Sequence, residues 1–234
     1  MTTQRKGTLP DAAVEDYLKT IYQHTEWQDK AITPSALASK LGVTPASVTG
    51  MVKKLTAQGL IDHVPYGPLY LTHRGTLRAI AVVRRHRLIE TWLVQYFGYA
   101  WDEVHDEAEL LEHSVSDRLL AVMDQRLGHP STDPHGDPIP DATGFTRPTG
   151  FSLLAELGSD QQAVLLRVDD KIPELLRVLA AHQMLPGRTL MIQARRGKHL
   201  YISVPGSEEN QTVRLNASDA KRIWVRSVTE ESET

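Results

Sequence analysis

The chain has 234 residues, 41% of them hydrophobic, with ten histidines, no cysteine and a formal net charge of −3. That is the composition of an ordinary globular protein with room for two or three small domains; it excludes disulfides and thiolate metal ligands and leaves imidazole and carboxylate donors. No run approaches the ~18 apolar residues of a membrane span, and the opening MTTQRKGTLP lacks an apolar signal-peptide core, so a cytoplasmic protein without a membrane segment is expected.

The small net charge hides a segregation by region. From Thr44 to Arg87 there are seven Lys or Arg against one acid, giving +6, whereas from Trp101 to Asp160 three basic residues face thirteen acidic ones, giving −10. A basic segment followed by an acidic one implies a polyanion-binding part joined to a part that concentrates cations.

In chain order, DAAVEDYLKTIYQHTE repeats apolar residues at Val14, Tyr17, Leu18, Ile21 and Tyr22, the stripe of an amphipathic helix, with Asp16 off that stripe. In TPSALASKLGVTPASVTGMVKKLTAQGLI, Thr33-Pro34 and Thr44-Pro45 each set an N-cap hydroxyl before a proline at the first helical position. Two helices therefore start there, separated by Gly42, with Gly59 closing the second. LIDHVPYGPLYLTHRG supplies two short β-prone runs around a Pro-Tyr-Gly-Pro turn, and a hairpin after a helix-turn-helix is the pattern of a winged helix.

A long helix is expected from about Thr76 to Phe97 and a second from about Glu103 to Leu127, the latter striped by Val104, Ala108, Leu111, Val115 and Leu119. Two such helices beside a DNA-binding part offer a dimer interface, because twofold proteins read twofold DNA sites. GHPSTDPHGDPIPDATGFTRPTG then breaks the helical region into loops. Beyond it, AVLLRV, TLMIQA, LYISV, TVRL and RIWVRSV are short strands spaced by turns, with one helix at IPELLRVLAAH, which suits a small β-barrel. The expected fold class is mainly α with a β-rich C-terminal domain. The expected parts are a winged helix-turn-helix domain over 1–76, a helical dimerisation domain over 77–147 and the small barrel over 148–234.

The chemistry concentrates in VHDEAELLEH. On one helix His105, Glu109, Glu112 and His113 fall at i, i+4, i+7 and i+8, within roughly 100° of one another at ~3.6 residues per turn. His86 and Glu90 stand at i, i+4 on the preceding helix, and Asp16 is available to join them. Carboxylate and imidazole at such spacings on facing helices aim their donors at one point, as a divalent-cation site requires. The plainer reading is a solvated helix face. Two other functions fit parts of the pattern: a carboxylate and histidine metalloenzyme, against which the basic helix-turn-helix segment argues, and a winged-helix regulator that senses a non-metal ligand.

The pieces EDYLKTIY, TPASVTGMVKKL, RRHRLIE, VHDEAELLEH and HPSTDPHGDPIP, in this order and followed by a β-rich tail, resemble the diphtheria-toxin-repressor family of metal-dependent transcription regulators over essentially the whole chain. The resemblance implies a winged-helix domain, a helical dimerisation and metal-binding domain and a barrel like the iron-transport accessory fold. It also implies a primary metal site of Asp16, Glu109, Glu112 and His113 and an ancillary site of His86, Glu90 and His105, with Asp169 or Asp170 as a contribution from the barrel. Iron-responsive members carry Met and Cys where this chain has Asp16 and Glu109, whereas the manganese-responsive branch carries the acidic pair. The chain departs from the compact two-metal regulators at Lys19, where they have a Glu. The implied cofactor is manganese(II), with iron(II) as the competitor, at two sites per chain. Carboxylates in place of soft sulfur agree with a hard ion.

The implied function is a homodimeric repressor of metal-uptake genes that binds a palindromic operator in double-stranded DNA and has no enzymatic activity. The recognition helix is expected to run from Pro45 to about Gln58, with Thr44, Pro45, Ser47, Thr49, Lys53 and Lys54 at the DNA. Gly50 and its small neighbours discriminate bases weakly, so phosphate contacts by the lysines and DNA shape are expected to carry much of the recognition.

Overall fold

The structure is a computed structural model that describes residues 12–28, 30–64, 67–141, 150–206 and 212–228. The tip of the expected wing turn and the expected boundary near residue 148 lie outside the described residues. The chain divides into two compact units that interleave in sequence: 1–89, 109–123 and 139–147 form one, and 90–108, 124–138 and 148–234 the other.

The first unit begins with α1 (Ala12–Glu26), whose expected stripe of Val14, Tyr17, Leu18, Ile21 and Tyr22 is buried throughout. Helices α2 (Pro34–Leu41) and α3 (Pro45–Ala57) start where the sequence signals place them. Thr33 Oγ1 accepts the Ala36 amide at 3.2 Å and Thr44 Oγ1 the Ser47 amide at 3.2 Å, so each N-cap satisfies a donor that the first helical turn leaves unpaired. Gly42 closes α2 at φ 64°, a left-handed conformation that glycine adopts without steric cost. At the end of α3 the C-cap is Gln58, one residue earlier than expected, and Gly59 follows at φ 65°.

Strands β1 (Ile61–His63) and β2 (Leu69–Leu71) pair antiparallel with Ile61 opposite Leu71, and complete the winged helix. Leu37, Leu55, Leu60, Ile61 and Leu69 fill its core beside the α1 stripe. Each such side chain, fully buried, stabilises the unit by about 1.5–3 kcal/mol before chain entropy is counted. The long helix α4 (His73–Phe97) starts hard against this core: a Cβ on Gly75 would stand 1.9 Å from the Leu60 carbonyl oxygen.

The second expected long helix is two. Helix α5 (Val104–Leu111) ends at a turn in which the Ser114 and Val115 amides both donate to the Leu111 carbonyl. Helix α6 (Asp117–Arg126) then restarts, with Ser116 Oγ accepting the Leu119 amide at 3.3 Å. The apolar periodicity runs through the break, which is why it read as one helix. Ser116 before Asp117 is the N-cap signal that outweighs it.

In the second unit β3 (Ser152–Leu153), β4 (Gln162–Val168), β5 (Thr189–Arg196), β6 (His199–Ser203), β7 (Val213–Asn216) and β8 (Ile223–Ser227) form one antiparallel sheet in the order β3-β8-β4-β5-β6-β7. Helix α7 (Pro173–Ala181) packs on it through Leu175, Leu176 and Leu179, and the four-residue α8 (Ala217–Ala220) caps β7. The small barrel expected from the strand spacing is an open sheet: among the described residues β3 and β7, its edges, are not paired to each other, and β3 is only two residues long. Trp101 joins this core and donates its indole N–H to the Leu176 carbonyl at 3.1 Å, which anchors the start of the α5 segment in the second unit.

Candidate metal centre

Two groups of carboxylate and imidazole side chains stand out, one in each unit. The first gathers α1, α4 and the end of α5. Asp16, Glu112 and His113 each offer a ligand atom within 4.8 Å of the others. His113 Nε2 lies 2.8 Å from Asp16 Oδ1 and 3.3 Å from Glu112 Oε1. Glu112 and His113 occupy the turn after α5 rather than a continuing helix, so their side chains follow from the break at Ser114–Ser116 and not from the i+7, i+8 spacing of the sequence.

Glu109 sits one turn earlier and is linked to the group through Lys19, whose ammonium donates to Glu109 Oε1 at 2.7 Å and to Glu112 Oε1 at 2.6 Å. The other Glu112 oxygen is 2.6 Å from His86 Nδ1. Burial by itself raises a carboxyl, but the His86 hydrogen bond and the Lys19 charge hold Glu112 below its ordinary value. Burial likewise works against the Lys19 ammonium, and Glu112 and Glu109 beside it outweigh that and raise its pKa. At Asp16, half-buried, desolvation wins over His113 and the carboxyl is pushed up.

The other ring nitrogen of His113, Nδ1, stands 3.0 Å from Glu15 Oε2. Glu15 is buried and is itself faced by Arg78 at 3.7 Å and Arg85 at 3.9 Å. A carboxylate on one imidazole nitrogen fixes the ring and leaves the other nitrogen to a ligand, the arrangement that orients metal-binding histidines. Glu15 has no helical-period relation to the acidic stripe, so no spacing in the sequence points to it beside Asp16.

The second group lies in the other unit. His105 Nδ1 is 3.3 Å from Glu90 Oε1 and 3.2 Å from Asp170 Oδ2. Burial lowers an imidazole, but these two carboxylates push His105 up to about 11. Asp170 rather than Asp169 is brought to the group, because Asp169 accepts from Arg222 Nη1 at 2.6 Å. Two residues without an assigned role in the sequence complete it: Glu90, Asp133 and His135 offer ligand atoms within 4.8 Å of one another, and all three are buried.

Asp133 and His135 are held by the turn Asp-Pro-His-Gly-Asp. Asp133 Oδ1 accepts the His135 and Asp137 amides at 2.9 Å each. Gly136 has φ 89°, and a Cβ there would meet the Leu166 carbonyl oxygen at 1.9 Å. His135 Nε2 is 2.6 Å from the Trp101 carbonyl, which only accepts, so Nε2 carries the proton. Among the described residues its Nδ1 is buried with no hydrogen-bond partner, and it lies 3.9 Å from Glu90 Oε2. That distance is too long for a hydrogen bond, yet it suits two donors of one ion, which at bonds of about 2.1 Å stand roughly 3–4 Å apart. The residues present therefore fit a divalent cation. The Asp-x-His pair is the signal that the sequence carries, but turn residues have no period, so helical spacing does not point to them.

His86 stands one turn before Glu90 on α4, and the division between the units falls between them. Of the expected DNA-contacting residues, Thr44, Pro45, Ser47, Thr49, Lys53 and Lys54 are all exposed on α3 or its cap. Two of their hydroxyls already serve the helix: Thr44 caps it and Thr49 Oγ1 donates to the Pro45 carbonyl at 2.9 Å.

Comparison with known proteins adds to this geometry. Residues 11–69 match the family described as iron dependent repressor, N-terminal DNA binding domain; residues 72–141 match iron dependent repressor, metal binding and dimerisation domain; residues 153–227 match the FeoA domain. The iron-dependent repressor IdeR of Mycobacterium leprae (strain TN) is 31% identical over 224 residues, covering 89% of this chain and 95% of that protein. A manganese-dependent transcriptional repressor in complex with manganese superposes with a TM-score of 0.85 at 40% identity, covering 92% of this chain and 100% of that one. ScaR with bound Zn2+ gives 0.76 at 32% identity, over 92% and 99%.

Proposed function

The chain belongs to the iron-dependent repressor family, that of the diphtheria toxin repressor, and from that premise we propose that it is a manganese(II)-responsive repressor of metal-uptake genes. It works as a homodimer on a palindromic operator, acts in the cytoplasm where the DNA is, and is not an enzyme. The division into 1–76, 77–147 and 148–234 is retained as the proposed domain plan. The observation that carries the reading is the convergence of Asp16, from the DNA-binding segment, with Glu112 and His113, from the metal-binding and dimerisation segment, within 4.8 Å.

Asp16, Glu109, Glu112 and His113 would hold the regulatory ion. Glu90, His105, Asp133, His135 and Asp170 would hold a second. The expectation that His86 is a ligand beside Glu90 and His105 stands as a proposal, while its bond to Glu112 orients that carboxylate. A divalent cation supplies the positive charge that lets these carboxylates stay close, and links α1 to the end of α5 in one arrangement. Glu15 holds the His113 ring with Nε2 toward Asp16. Asp16 then ties the winged helix to the segment that ends α5, and the spacing of two recognition helices in a dimer must match half-sites about 34–36 Å apart or a multiple. On the same segment Leu110, Leu119 and Val122 are exposed large hydrophobics, which suits a surface covered in a dimer.

Manganese is favoured because carboxylate and imidazole are the only strong ligand types in a chain without cysteine, which removes the thiolates that select later metals. Lys53 and Lys54, exposed on α3, serve phosphate contacts, and Thr44, Pro45, Ser47 and Thr49 line the same end of that helix. Calorimetric titration of manganese(II), iron(II) and zinc(II), into wild type and into the Asp16→Met, Glu109→Cys double variant, tests the metal choice. The double variant should shift its preference from manganese toward iron; identical preferences in the two proteins would refute it. Turnover of a hydrolytic substrate by the loaded protein would favour the metalloenzyme, and no metal binding at all would favour a sensor of another ligand.

A further inference from the structure

Among the described residues from 150 onward, eleven Lys or Arg stand against six Asp or Glu, so the β-rich part of the second unit is basic. Its carboxylates and their neighbours pair with particular arginines: Asp137 with Arg167 at 2.6 Å, Asp169 with Arg222 at 2.6 Å and Glu174 with Arg177 at 3.2 Å. Among the described residues no carboxylate lies within 4.0 Å of Arg196, Lys198 or Arg214. Those three cations have no counter-charge, and all three are exposed.

Strand register brings them together. Arg196 of β5 pairs with His199 of β6, so Gly197 and Lys198 form a two-residue hairpin loop, with Gly197 at φ 58°. Two residues along β6, Tyr201 pairs with Arg214 of β7, the strand at the edge of the sheet. Leu200, Ile202, Val213 and Leu215 alternate with these positions into the core. Arg196, Tyr201 and Arg214 therefore share the opposite face, with Lys198 at the tip beside them. Arg195 projects to the other side and donates to the Ala155 carbonyl.

Two arginines of this sheet lie over aromatic rings, and they differ in what else they hold. Arg167 is 4.2 Å from the Trp224 ring centroid and bonds Asp137, so its charge is met within the fold. Arg196 is 5.4 Å from the centroid of Tyr201, and its N–H edges have no carboxylate. Packing on a ring restricts a long side chain and leaves the guanidinium fork ready for an oxyanion such as phosphate. The same packing covers the half-buried Tyr201 ring, which opposes the base stacking that single-stranded nucleic acid requires. Arginine, lysine and a tyrosine hydroxyl are side chains that contact the backbone of duplex DNA without reading its sequence.

We propose that the outer face of the β5–β6–β7 edge, through Arg196, Lys198 and Arg214, is a second DNA-binding surface of this chain, one that holds the phosphate backbone of duplex DNA whatever its sequence. Duplex DNA is the polyanion that the chain already meets through residues 11–69, and the charge of this face is complementary to it. None of the three residues belongs to either ligand group, so this affinity needs no metal ion. It is weak and salt-sensitive, and it keeps the chain on DNA independently of the recognition helix.

The test uses the full chain in chelator, where a failure of the metal switch cannot alter the result, and a labelled duplex of random sequence titrated at a series of salt concentrations. Each phosphate contact contributes about 0.9 to the slope of log affinity against log salt. The triple variant Arg196→Gln, Lys198→Gln, Arg214→Gln should therefore lower the steepness of that slope by about 2–3 relative to wild type. A charge-preserving variant, Arg196→Lys with Arg214→Lys, should keep the wild-type slope, which separates lost charge from a disturbed sheet. An unchanged slope in the triple variant would overturn the proposal, as would an equal loss in the charge-preserving variant. Single-stranded DNA or RNA bound more tightly than the duplex, and released by the triple variant, would overturn duplex DNA as the partner.

Discussion

The two ligand groups are built by opposite means. The first is assembled across secondary structure: Asp16 and Lys19 come from α1, His86 from α4, and Glu112 and His113 from the turn that ends α5. Its acidic residues are already neutralised by side chains, with Lys19 on Glu109 and Glu112, His86 on Glu112, and His113 between Glu15 and Asp16. The second takes Asp133 and His135 from one tight turn packed by a glycine and sets them beside Glu90 of α4, while Glu90 also meets His105 of α5, which meets Asp170, and among the described residues it leaves His135 Nδ1 buried with no hydrogen-bond partner. A group whose partners come from separate helices is suited to switching, because an ion there changes which elements are tied together. A group with two members preset by one rigid turn is suited to a more constant, structural ion.

The largest effect expected from this contrast is at Glu112. Glu112→Gln removes a ligand and the counter-charge of Lys19 together, and should weaken manganese binding at the first group by at least about a hundredfold, since even outer-shell changes cost about 10–100-fold. Calorimetry should find the second group's affinity intact. Next comes Glu15→Gln, which leaves every ligand in place and alters only the partner of His113 Nδ1; a loss of about 10–100-fold at the first group is expected. If Glu15→Gln changed both groups equally, the division of labour drawn here would fail.

Gly136→Ala probes the other side of the contrast. Its left-handed φ alone costs about 1–3 kcal/mol with a side chain, and the Leu166 carbonyl in the way adds to that. Urea unfolding should report the loss, and the second group should lose metal while the first keeps it. The smallest effect is one of pH. His105 has a folded pKa of about 11 against an ordinary 6.5, so in chelated protein its contribution to stability is complete below about pH 6.5 and is lost as the pH rises through about 11. The urea midpoint of chelated protein should therefore fall as pH is raised above neutrality. Manganese affinity at the second group should rise over the same range, because the ion competes with the His105 proton.

What the sequence revealed depended on how local each signal was. The α1 stripe, the Thr-Pro starts of α2 and α3 and the paired wing strands are encoded in neighbouring residues, and the structure has them where the residues put them. The expected single helix after Trp101 is two because apolar periodicity continues across Ser114–Ser116, while the restart of α6 is encoded in one hydroxyl cap at Ser116. The barrel was over-read: strand count and spacing cannot reveal whether two edge strands pair. Among the proposed site residues, Glu109, Glu112 and His113 stand out in the sequence as an acidic and imidazole stripe, although Glu112 and His113 lie in a turn, and Asp16 joins them only through the family resemblance. Asp133 and His135 have no period, Glu15 acts only through His113, and the pairing of Lys19 with two glutamates about ninety residues away is a tertiary fact that no local pattern contains.

The central claim is that metal at the first group governs DNA binding. The most direct test is fluorescence anisotropy of a labelled duplex, selected from a random pool by the manganese-loaded protein, titrated with wild type and with Glu112→Gln in manganese(II) and in chelator. Tight binding by wild type in manganese alone, lost in chelator and in Glu112→Gln under both conditions, is the predicted result. Equal affinity of wild type for the duplex in manganese and in chelator would contradict the account.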